Sequence, residues 1–70
     1  MEETWESGLG PVTVHVLLNE LGTIGSVART LQERWMLLAE EQRDELLGMI
    51  DDAALRGIDR LRTALTVAQP

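Results

Sequence analysis

The chain has 70 residues, twelve acidic against six basic for a formal net charge of −6, with 44% hydrophobic content, two aromatics and no cysteine. That length holds one small domain and excludes a nucleotide-binding fold with a second domain beside it. The acidic surplus argues against a nucleic-acid partner because a phosphate backbone would be repelled, and one histidine without thiols cannot close a tetrahedral metal site, so neither a metal nor a cofactor is expected.

Residues 1–10 carry three glutamates, Trp5 and two glycines without periodicity. They are expected to form a flexible lead-in, with Trp5 free to fold back on the domain. This opening is acidic and lacks the apolar segment of a signal peptide, and no apolar run approaches the roughly 20 residues that span a bilayer. A cytoplasmic protein without membrane insertion is expected, in keeping with the absence of cysteine.

Gly10-Pro11 opens the first predicted helix, since proline suits a first turn where its missing N–H has no partner to lose. Over about Pro11 to Trp35, and on to Leu38, Val14, Leu17, Leu21, Ile24, Ala28, Leu31, Trp35 and Leu38 recur at alternating steps of three and four. That is the seam of a helix packed in a bundle. Val12 and Val14 are β-branched, and Gly22 and Gly25 cost roughly 1 kcal/mol each inside a helix, so packing rather than propensity must hold it. The two glycines either admit a neighbouring backbone or loosen the helix.

Between Gln32 and Gln42 the hydrophobic phase passes from one helix to another without Gly, Pro, Asn or Ser to mark a turn. Trp35-Met-Leu-Leu38 is an apolar run that no single stripe can bury, which predicts a turn plugging one end of a bundle. One unbroken helix to about Leu47 is the alternative. The second helix is expected from about Glu41 to Val67, with Leu47, Ile50, Ala54, Ile58, Leu61, Leu65 and Ala68 on one face and Leu46 and Ala53 widening it. Glu40 and Glu41 suit the positive end of its dipole, Arg60 and Arg62 the negative end, and Asp52 lies four residues before Arg56, within pairing distance.

Two amphipathic helices in a hairpin leave an apolar face uncovered, and pairing two hairpins buries it. A domain this small gains little from one core and often oligomerises. The expected fold is therefore all-α: an antiparallel helical hairpin over residues 11–70 that forms a homodimer as a four-helix bundle.

His15-Val-Leu-Leu-Asn-Glu-Leu21, followed by Thr23-Ile24, resembles the phosphoacceptor box H-E-L-R-T/N-P-L-T-x-I of the dimerisation and histidine-phosphotransfer domain of sensor histidine kinases. His15, Leu17 and Leu21 agree, with Asn19 an accepted variant. Glu40-Glu-Gln-Arg-Asp-Glu-Leu-Leu47 is similar to the opening of that domain's second helix, E-Q-R-x-x-L. The resemblance covers roughly residues 11–68. It implies a two-component signal-transduction module in which His15 is the phosphoacceptor, Asn19 orients a hydrolytic water, and an aspartate of a response-regulator receiver domain is the exchange partner. Val16 stands where the family has an acid, Leu18 where it has arginine, and Glu20 where it has proline. No ATP-binding domain fits within this chain, so it cannot phosphorylate itself from ATP.

On residues alone, a lone outward histidine is usually a solvated side chain. Its surroundings are unusual, because Glu20 is the only formal charge from Gly8 to Ala28 while Val12, Val16 and Leu18 are apolar and off the seam. Either the bundle is wider here and these three are core, or they form a partner-docking patch that Gly22 keeps clear. The Gly22-Thr-Ile-Gly25 segment lacks the G-x-G-x-x-G spacing of a phosphate loop. Asp51 and Asp52 point in different directions on a helix, and no Ser or Thr has a histidine at a predictable spacing for a triad. Three functions remain: the phosphotransfer module, a non-catalytic homodimerisation or adaptor module, and a small regulator whose groove captures an amphipathic helix.

Overall fold

The computed structural model describes residues 10–68, so the lead-in at 1–9, with Trp5, lies outside the described residues. Two helices pack against each other: α1, Pro11–Arg34, and α2, Glu40–Ala68, joined by a 3₁₀ turn at Trp35–Leu37. The all-α hairpin is as the periodicity predicts, and the unbroken-helix alternative is excluded. Helix boundaries move by only a residue or so.

Proline sits at the first helical position of α1, and the Gly10 carbonyl accepts the Val14 N–H at 3.0 Å to start the ladder. Leu38, in extended conformation at φ −90° and ψ 141°, is where the chain leaves the helical path. The end is closed locally. The Leu38 N–H donates to the Arg34 carbonyl at 3.1 Å, and Arg43 Nε donates to the Trp35 carbonyl at 2.9 Å. The Arg43 guanidinium also lies 4.5 Å from the centre of the Trp35 ring. At the start of α2, Gln42 Oε1 accepts the Ala39 N–H at 2.9 Å, the reach-back half of a capping box, while Glu40 and Glu41 occupy the first turn.

Burial is sparse. Val27, Leu31, Ala53 and Ala64 are the buried core. On α1 the residue under α2 is Val27, whereas Ala28 of the predicted seam is exposed. The radius of gyration is 15.7 Å and the extents are 49 × 19 × 12 Å, against about 11 Å for a compact domain of this length. A two-helix layer has too little thickness to enclose many large side chains, so Val27 and Leu31 are buried against alanines of α2 and most other large aliphatics line its flanks.

Four sequence expectations change. Arg56 pairs across the hairpin with Glu20 rather than along α2 with Asp52: Arg56 Nε donates to Glu20 Oε2 at 3.1 Å and Nη2 to Oε1 at 3.3 Å. The last turn of α2 holds no basic residue, so Arg60 and Arg62 stop short of the dipole end. Gly22 and Gly25 lie within α1 with nothing within 4 Å of an added Cβ, and the close helix approach is at Gly57, where a Cβ would lie 3.8 Å from Glu20 Cβ and Leu17 Cδ2. Trp35, Met36 and Leu37 plug nothing in a single copy and stand exposed.

Candidate functional site

Each helix carries two adjacent apolar stripes rather than one. On α1, Val16, Thr23, Val27 and Leu31 turn toward α2, and Leu17, Leu21 and Ile24 lie on the flank beside them. On α2, Leu46, Ile50, Ala53, Gly57 and Ala64 turn inward, flanked by Ala54, Ile58, Leu61 and Leu65. The flank stripes meet in an open groove of about 330 Å³, lined by Leu17, Glu20, Leu21, Ile24, Ala53, Ala54, Gly57, Ile58 and Leu61. These are largely the residues of the two predicted heptad seams. In a four-helix bundle a seam points at the central axis, between two neighbours, so a lone hairpin covers only one side of it. Leu21, a seam residue, is 62% exposed.

Glu20 is the one charged residue in the groove wall. Gly57 leaves room for its stem, and its carboxylate accepts both Arg56 bonds with the Glu20 side chain only 18% exposed. The hydrogen bond to Glu20 and then its charge raise the Arg56 guanidinium above its ordinary pKa, with a smaller pull from Asp52. The pair is bidentate, the geometry in which an arginine–carboxylate contact is most specific. It also joins the two helices at a fixed register.

His15 is exposed on α1 and makes no side-chain hydrogen bond or ion pair with any described residue. At 3.6 residues per turn it lies about a third of a turn from Leu21 on one side and from Val27 on the other. It therefore points away from both the groove and α2. Asn19, one turn along the same face, is also exposed. Beside them is a second, shallower depression of about 480 Å³, lined by Leu18, Asn19, Gly22, Thr23, Ser26, Val27 and Met49.

The four residues read as a docking patch do not stay together. Val12 and Leu18 are 74% and 61% exposed and Gly22 is exposed, whereas Val16 is half-buried toward α2. Val16 widens the packed face, and Leu18 and Gly22 border the depression. The pairing of Glu20 with Arg56 is not among the sequence expectations, although an isolated acid in the otherwise uncharged stretch from Gly8 to Ala28 is a signal for it.

Among the described residues no group of three or more His, Cys, Asp or Glu side chains is placed to hold a metal ion, and no helix is long and apolar enough to cross a membrane. No family model matches the chain, and neither a curated protein nor a solved structure matches it.

Proposed function

We propose that the chain is a homodimerising signal-transduction module of the two-component type. Two hairpins close their grooves over each other into a four-helix bundle, and His15 on the outer face exchanges a phosphoryl group with a receiver aspartate. The observation that supports the pairing is the open groove itself, aliphatic on both walls apart from Glu20. Fully burying a leucine stabilises by about 1.5–3 kcal/mol, so a second copy covering Leu21, Ile58 and Leu61 gains several kcal/mol that a lone hairpin forgoes.

The chemistry asks little of this chain beyond presentation. An imidazole nitrogen of His15 attacks the phosphorus of the receiver's aspartyl phosphate in line, forming an N–P bond as the acyl O–P bond breaks. The receiver's carboxylate leaves with its charge held by the receiver's own Mg²⁺. Exposure of the ring and clearance at Gly22 support that approach. The position of Asn19 suits a water directed at the phosphohistidine.

A second reading keeps the dimer and omits the chemistry: an adaptor that binds a partner protein through the same bundle. It is favoured by Val16, a half-buried aliphatic residue where an acid would polarise the ring. One experiment separates the two. The protein is incubated with phosphorylated receiver domains while its mass is followed by light scattering. Acid-labile label on a dimer, lost in His15→Ala, supports transfer. A dimer that takes no label from any of several receivers supports the adaptor, and a monomer at all concentrations removes the basis of both.

A further inference from the structure

A second apolar surface lies at the turn, away from the groove. Trp35, Met36 and Leu37 are consecutive and 43%, 86% and 80% exposed. The groove lining stops at Ile24 on α1, eleven residues or about 16 Å along a helix axis before Trp35, so the tip is a separate surface from the groove. Exposed apolar clusters of this kind mark interaction sites. Methionine is the adaptable side chain at such surfaces, and Trp35 is held in place by Arg43 from behind.

The charge around the tip identifies what fits it. Glu33, Glu40, Glu41, Asp44 and Glu45 flank the turn against Arg34 and Arg43, and Arg43 is already engaged with Trp35. Two acidic tips repel each other, which disfavours a second copy, and an anionic lipid surface is repelled for the same reason. We propose that the Trp35–Leu37 tip docks a basic amphipathic helix of a partner protein, its apolar face on Met36 and Leu37 and its lysines or arginines on the surrounding carboxylates. This surface is independent of whether the grooves pair and whether His15 carries phosphate.

The test uses the full chain with Trp5→Phe, so that Trp35 is the sole indole. It is titrated with a synthetic leucine–lysine helical peptide and with its leucine–glutamate counterpart. The expected result is a saturable blue shift of Trp35 emission with the lysine peptide only, weakened by salt. Met36→Ser with Leu37→Ser, which removes the apolar area without changing the charge, should cost about tenfold or more in affinity while the mass by light scattering stays the same. Equal binding of the glutamate peptide, or unchanged binding to the double variant, overturns the proposal. So does a concentration-dependent blue shift without peptide, which would mean a second copy covers the tip. Binding to phosphatidylglycerol vesicles in place of the peptide also overturns it.

Discussion

The two flanks of the hairpin are built from the same helices and differ in what they offer. One flank takes Leu17, Leu21 and Ile24 from α1 and Ala54, Ile58 and Leu61 from α2, and is aliphatic from both sides. The other has Leu18, Asn19, Gly22 and Ser26 from α1 with only Met49 opposite, and beside it stands His15. A surface that is apolar on both walls is suited to permanent closure by a like surface. A mixed surface with small residues and an exposed ring suits brief contact. In the proposed module, assembly and exchange would lie about a third of a turn apart around α1.

The sharpest way to break that contrast is to place one charge on each flank. Leu21→Asp in the groove should weaken self-association by roughly 100-fold or more, since a symmetric interface loses the leucine twice, about 3 kcal/mol in all. Ser26→Asp on the opposite flank should leave the mass unchanged. Sedimentation of the two variants over a dilution series compares them directly, and equal weakening would mean that the flanks do not have distinct roles. A smaller effect is expected under the groove. Ala53 has 0% exposure, so Ala53→Leu should push the helices apart and lower stability by about 1–3 kcal/mol, read from urea unfolding. A stabilised variant would mean the helix interface has slack. Smallest is Gly25→Ala, at an exposed helical position with nothing near its Cβ. It should raise stability by about 0.5–1 kcal/mol without altering self-association, and a loss of stability would show that the helix needs glycine there.

The groove was legible in the sequence more clearly than the hairpin's own interior. A heptad seam records which residues a bundle buries, and in this hairpin much of it lines the flank that the packed helices leave open. The contact between α1 and α2 shares Leu17 and Leu31 with the seam but otherwise runs beside it, through Val27, Ala53, Gly57 and Ala64, where small residues on α2 give little hydrophobic signal. The turn was hard to place because its caps come from long side chains. Gln42 supplies the reach-back half of a capping box from inside the helix it starts, while Ala39 stands where a serine or aspartate would mark the boundary. The exposure of His15 followed from periodicity alone. Its chemistry did not, since helix phase places a ring without deciding what approaches it. Glu20 and Arg56 are 36 positions apart, a pairing that no local pattern encodes.

The clasp at the turn bears on how the chain comes together in time. Arg43 reaches Trp35 across eight positions, and Gln42 reaches Ala39 across three. Short loops are cheap to close, so these contacts can form before the distant ends of the helices meet. Such a hairpin zips from its bend toward its free ends, and the last pieces to settle are the ones nearest His15.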